Sequence, residues 1–208
     1  MIGFLAFDGV EELDLVGPWE MARMWHAYAD GPQAVTVAAR AGLVRCAKGL
    51  GLVADHGFDD CPRLTALVVP GGFAALDLVD DQAVVAFIRK QGAACDHMLS
   101  VCTGSFLLAA AGLLEGRHAA THWKAREMLA ARGVEVSAAR FVRDGNVWTS
   151  GGVSAGMDLM LHFIAETAGE EAAAITQHNA EYYPDGRIYG ALHQADGMPG
   201  YMSRLGRS

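Results

Sequence analysis

The stretch Ser100-Val101-Cys102-Thr103-Gly104-Ser105 decides how the rest of the chain is read. An apolar strand-like run, His97 to Val101, ends in a cysteine, and small residues lead straight into the apolar helical stretch Phe106 to Leu114. A thiol on such a strand-to-helix corner is held clear of the sheet, and the first amides of the following helix point unpaired N–H groups back toward it. Those amides, with the helix dipole, favour thiolate over thiol. Cysteine is also commonly a small buried apolar residue. From this pattern alone Cys102 reads as well as core as it does as a nucleophile.

Working upstream, Leu67-Val68-Val69 is a fully apolar run of the kind found in a buried parallel strand, and it ends in Pro70-Gly71-Gly72. Two glycines there allow close backbone approach, which serves either an oxyanion site built from bare amides or a tight strand-to-helix turn. Asp81 to Ala93 has helical periodicity, with Val84, Val85, Phe87 and Ile88 on the inward face. Residues 2 to 7 and 34 to 39 read as short strands, and Leu43 to Cys46 with Leu52 to Ala54 as a hairpin around Lys48-Gly49. Strands alternating with helices predict an α/β fold: a mostly parallel sheet covered on both faces, with any site at the carboxyl ends of the strands. Gly71-Gly72 and Cys102 both fall at such ends. Between the first strand and a helix expected to open at Gly17-Pro18 lies Asp14, bracketed by leucines and so expected to point inward. Its carboxylate suits an N-terminal cap or a catalytic acid, and the pattern does not separate them.

Downstream, a helix is expected from Trp123 to about Arg132, and a hairpin over Phe141 to Thr149 turned at Asp144-Gly145. Met157 to Ala168 is apolar nearly all round, as a buried central helix is; its Asp158 and His162, at helical spacing, read as a satisfied buried pair. A last helix is expected over Glu170 to Tyr182. Without repeats or a linker, residues 1 to 208 read as one domain with an irregular tail from about residue 184.

Composition narrows the classes. The 208 residues are 52% hydrophobic, ample for a core, and 16 basic against 24 acidic side chains give a formal net charge of -8. That balance lacks the basic excess on which nucleic-acid binding depends. The start has no basic leader, and no apolar run approaches membrane-spanning length, so a soluble, cytoplasmic protein is expected. The cysteines, at 46, 61, 95 and 102, form no C-x-x-C pair, so free thiols are expected. His118 and His122 stand four apart, but in a segment that reads as extended, and no metal site is expected from them.

Taken together, several pieces resemble the ThiJ/PfpI superfamily, and within it the isonitrile hydratase subgroup. They are the start Ile2-Gly3-Phe4-Leu5, then Leu13-Asp14-Leu15-Val16-Gly17-Pro18, Val69-Pro70-Gly71-Gly72, Ser100 to Ser105, Ala110 to Gly116, Ala120-Thr121-His122-Trp123, Val142 to Asn146, and Gly151-Gly152 with Ala155-Gly156-Met157-Asp158. The resemblance implies a flavodoxin-like three-layer sandwich with a nucleophile elbow, and a homodimer. It implies a cofactor-independent reaction in which an isonitrile is hydrated to an N-substituted formamide. On that likeness Cys102 matches the nucleophile and Asp14 the acid that contacts its sulfur, while the amides of Gly71, Gly72 and Thr103 match the anion-stabilising backbone. A carboxyl beside a thiolate resists ionising as well, so Asp14 is expected to keep and shuttle a proton. Thr103 stands where protease-like relatives carry histidine, which argues against a Cys-His dyad; His122 is a candidate for a supporting place near the site. Two rival readings stay open. The same signatures occur in the ligand-sensing half of AraC-type regulators, and a redox-stress or carbonyl-repair protein would use the same cysteine.

Overall fold

The computed structural model describes residues 1–184 and 197–204. The two innermost strands on the amino-terminal side of the sheet form where the sequence runs without polar side chains. β1 (Ile2–Leu5) and β5 (Ala66–Val69) are buried at every position, and a hairpin, β3 (Gly42–Arg45) with β4 (Gly51–Ala54), lies between them in the chain. With β2 (Ala34–Val37), β6 (His97–Val101), β9 (Phe141–Asp144) and β10 (Val147–Ser150), β1 and β5 make a six-stranded sheet in the order β2-β1-β5-β6-β10-β9. All neighbours are parallel except β9, which folds back on β10 at the edge through the Gly145 turn. β7 (His118–Ala119) and β8 (Glu135–Val136) form a separate short parallel pair.

Helices cover both faces, as strands buried on both sides require. α1 (Glu12–Tyr28) packs with α6 (Ala155–Ala168) and α7 (Glu170–Asn179), whereas α2 (Ala74–Asp77), α3 (Gln82–Ala94) and α4 (Gly104–Ala110) pack together elsewhere. Asp81 caps α3 by accepting from the amides of Ala83 and Val84, and the four residues predicted to face inward are all buried. One continuous apolar core runs from Ile2 to Ile164.

Several boundaries differ from the sequence reading, each because packing overrides a local signal. Pro18 lies inside α1, which starts at Glu12. Asp14 and Leu15 are drawn into the interior, and α1 closes on α6 so tightly that a side chain at Gly156 would lie 3.1 Å from Pro18 Cδ. Residues 123–125 form a 3-10 turn before the short α5 (Arg126–Ala130). α6 buries one face only, through Leu159, Met160, Phe163 and Ile164. Asp158 and His162 do not pair: Asp158 accepts from Arg140 Nε at 2.7 Å and from the Tyr182 hydroxyl, while His162 lies against the Phe141 and Trp148 rings. The expected irregular tail falls partly outside the described residues, and within them Gly200–Arg204 is helical (α8).

Candidate active site

Four adjacent parallel strands, β1, β5, β6 and β10, end side by side, and the segment after each supplies one part of a single buried cluster. Cys102 follows β6 with φ +59°, a left-handed conformation rare for a residue with a Cβ. Such backbone costs about 1–3 kcal/mol and persists only where its surroundings impose it. Here the Cys102 amide donates to the carbonyls of Ser150 and Gly151 at 3.2 and 3.1 Å. Its own carbonyl accepts from the Thr121 hydroxyl at 2.9 Å and the Ser105 hydroxyl at 3.1 Å. Gly104 completes the corner, since a Cβ there would meet the Val69 carbonyl at 2.1 Å.

Asp14, in the first turn of α1, is fully buried beneath this corner. Its Oδ2 accepts from the Gly71 amide at 3.0 Å and its Oδ1 from the Val153 amide at 2.9 Å, and its side chain hydrogen-bonds the Cys102 thiol. It does not cap its own helix, whose N-cap residue is Glu11. The carboxyl is a junction between segments far apart in the chain. Thr103 forms the other clamp: its hydroxyl accepts from the Gly72 amide at 2.9 Å and lies 2.8 Å from the Gly72 carbonyl. The Thr103 amide and hydroxyl also reach the sulfur. The amides of Gly71 and Gly72 are therefore both occupied by protein acceptors, and their visible task is to hold Asp14 and Thr103. Gly71 has no room for a side chain, because a Cβ would lie 2.5 Å from Thr103 Oγ1 and 2.9 Å from Asp14 Oδ2.

Burial sets the electrostatics. It lifts the Asp14 carboxyl to about 7, against the hydrogen bonds from Cys102, Val153 and Gly71 that favour its charged form. It also pushes the Cys102 thiol well up, and the negative charge of Asp14 pushes it further. The thiolate preference expected from the helix-start amides is thus outweighed by desolvation. The physical unit is the pair: it gives up one proton near neutral pH and retains the second, which either atom can carry.

The thiol opens onto a cleft of about 200 Å³. Phe73, 90% exposed, and Met128, 51% exposed, form its apolar rim with Leu76, and Val153 and His122 line the same cleft. Glu11 also lines it and is paired with Lys48 from the β3–β4 turn. His122 caps the 3-10 turn, its Nδ1 accepting from the Lys124 amide at 3.3 Å, and burial holds its pKa below the usual histidine range. His118 instead faces Glu135 and Asp144, so the two histidines do not converge. Among the described residues no three His, Cys, Asp or Glu side chains gather as a metal site requires. The four cysteines are free thiols. No described helix is long and apolar enough to cross a membrane.

Residues 1–166 match the model of the DJ-1/PfpI family. The chain belongs to the DJ-1/PfpI family. Among relatives of this DJ-1/PfpI chain, the isonitrile hydratase of Pseudomonas putida is 40% identical over 183 residues, covering 88% of this chain and 78% of that enzyme. The HTH-type transcriptional regulator GbdR of Pseudomonas aeruginosa is 34% identical over 83% of this chain, which spans 48% of the regulator's length. A solved THiJ/PfpI family protein from Pseudomonas syringae superposes with a TM-score of 0.86 at 36% identity, covering 98% of this chain and 82% of that one. DJ-1 of Schizosaccharomyces pombe, at 17% identity and a TM-score of 0.75 over 88% of this chain and 99% of its own, shares the fold. The mostly parallel sheet between helical layers is the flavodoxin-like architecture expected from the sequence.

Of the residues singled out in the sequence, Cys102, Asp14, Gly71, Gly72 and Thr103 lie together, and His122 borders the same cleft. Sequence reasoning assigns no site role to Val153 or Thr121. Thr121 stands in the Ala-Thr-His-Trp segment that carries the resemblance, so a signal is present; Val153 contributes a backbone amide, which leaves no trace in residue type.

Proposed function

We propose that this protein hydrates an isonitrile to the corresponding N-substituted formamide, with Cys102 as nucleophile and Asp14 as proton carrier. The observation that carries the reading is the Asp14 carboxyl: fully buried, hydrogen-bonded to the thiol, and lifted to about 7. A conventional thiol enzyme returns the nucleophile's proton to a leaving group; an isonitrile has no leaving group at that step and needs the proton on the carbon attacked. The 40% identical Pseudomonas putida enzyme supports the same chemistry.

The steps balance without another reactant. The pair holds one proton, on Asp14 in the reactive form, and the thiolate attacks the terminal carbon of R–N≡C. A C–S bond forms, and the carbon's electron pair takes the proton from Asp14, giving the thioimidate R–N=CH–S-Cys102. Water then adds across C=N, its oxygen bonding to carbon and keeping one proton as a hydroxyl while its other proton goes to nitrogen, with Asp14 still ionised. Collapse of R–NH–CH(OH)–S-Cys102 expels the thiolate and gives R–NH–CHO, the hydroxyl proton leaving as the formamide carbonyl forms and restoring the singly protonated pair. Thr103 supports the sulfur through its amide and hydroxyl, and Gly71 and Gly72 act by letting Asp14 and Thr103 come close.

The test is incubation with one aryl and one alkyl isonitrile, with formamide followed by chromatography. Formamide from the native protein and none from Cys102→Ala is expected; no formamide from folded native protein would overturn the proposal. In that event the likeness to GbdR favours a ligand-sensing role for the cleft. We further propose a homodimer, as the family resemblance implies, and a cytoplasmic location.

A further inference from the structure

We propose that His122 is a further catalytic residue of this site, a neutral imidazole whose Nε2–H donates a hydrogen bond to the substrate nitrogen. The inference rests on the hydratase reading above, since it is that reaction's nitrogen which needs the donor.

Three observations converge. First, the tautomer is fixed by a backbone group: Nδ1 receives the Lys124 amide at 3.3 Å, and an amide N–H can only donate, so the ring proton sits on Nε2. Second, Nε2 has no hydrogen-bond partner among the described residues and does not rank with the sealed, unpartnered polar atoms, which are Glu12 Oε2 and Ser100 Oγ. An accessible donor is therefore left over, on a half-buried ring lining the same cleft as Cys102. Third, the ring is held in place rather than swinging in solvent. Its Cδ2 edge lies against Gly152, where an added Cβ would stand 2.3 Å away, and Gly152 precedes the Val153 amide that holds Asp14.

The chemistry fits a donor that keeps its proton. Burial and the nearby Lys124 ammonium oppose a second proton on the ring, with Glu11 acting the other way, so the imidazole donates without becoming an acid. Neutral imidazole is used in this way where a developing charge needs a hydrogen bond. In a linear isonitrile attacked at its terminal carbon, the nitrogen lies one bond farther from the sulfur, out toward the cleft wall. Asp14, buried beneath the corner, serves the sulfur and carbon. When water adds to the thioimidate, electron density moves onto nitrogen, and a preset N–H there stabilises it.

The experiment compares His122→Leu, which keeps apolar bulk against Gly152, with His122→Gln, which restores an N–H of similar reach. For each, kcat and KM with an aryl isonitrile, the pH profile, the iodoacetamide rate at Cys102 and the thermal melt are measured. His122→Leu should lose about 100-fold in kcat, the usual worth of one positioned donor. Its Cys102 alkylation, melt and pH limb near neutrality should match the native protein, and His122→Gln should recover at least tenfold. Native-like kcat in His122→Leu, or no recovery with glutamine, would overturn the proposal. So would a ¹⁵N spectrum of the native protein showing the Nδ1–H tautomer or imidazolium at pH 7. Absence of formamide from the native protein would instead strike the hydratase reading, and with it the nitrogen as the target.

Discussion

Replacing Asp14 with asparagine removes one proton site without changing the shape of the side chain, and its consequences can be worked from the contacts. The carboxyl meets all three neighbours: Oδ1 accepts from Val153, Oδ2 accepts from Gly71, and the side chain shares a hydrogen bond with the Cys102 thiol. Asparagine has only one oxygen, so the Gly71 or Val153 amide loses its acceptor, at about 1–3 kcal/mol for a buried donor left unmade. Against this stands the cost of ionising the native carboxyl. Its folded pKa of about 7 lies above the unfolded value of 3.8. The folded state thus binds more protons between these values, and stability falls as pH rises through that window. The contribution is fully present below pH 4 and lost above about pH 7, amounting to about 4 kcal/mol at 1.36 kcal/mol per unit. Asp14→Asn should therefore melt below the native protein at pH 4, where the carboxyl contribution is nearly intact, and level with it or above it at pH 8. At 2–4 °C per kcal/mol for a chain of this size, melts in matched buffers resolve the crossing. Formamide production should fall by about two to four orders of magnitude. Cys102 alkylation at pH 8 should rise, because the neighbouring negative charge is gone. An equal deficit in melting temperature at both pH values, or near-native turnover in a folded mutant, would refute the assignment of a buried, proton-holding carboxyl.

Native turnover should rise through about pH 7 as the Asp14–Cys102 pair gives up its first proton, which a pH–rate profile will show. Thr103→Val should leave the Gly72 amide and carbonyl without their hydroxyl partner, lowering stability by about 1–3 kcal/mol, whereas Thr103→Ser should restore it; paired melts decide. Gly71→Ala should abolish turnover, since its Cβ would sit 2.6 Å from the Thr103 amide, and the same variant should melt lower. Light scattering at micromolar concentration should give twice the 22.0 kDa chain mass; a monomer would remove the proposed dimer.

Much of the fold lay in the residues themselves, because strands buried on both faces and a cysteine between an apolar strand and a small-residue helix start are local patterns. The unbroken apolar run Ala66–Val69 and the largely apolar His97–Val101 left few alternatives to a parallel sheet, and the sheet places their ends together. The proline signal misled at Pro18, because the burial of Asp14 and the close meeting of α1 with α6 outweigh a local preference for the first turn. The same burial decided what the site residues do. An isolated Asp-Leu pattern is compatible with a cap, whereas the folded chain carries the amide of Val153, 139 residues away, to its carboxylate. A helix start by itself favours thiolate, yet Cys102 is largely buried and a second acid shares its space, so the thiol is raised instead. Residue type and order determined which groups could meet. Desolvation and the pairing of distant backbone amides, which exist only once the chain has closed around them, decided their protonation and hence their chemistry.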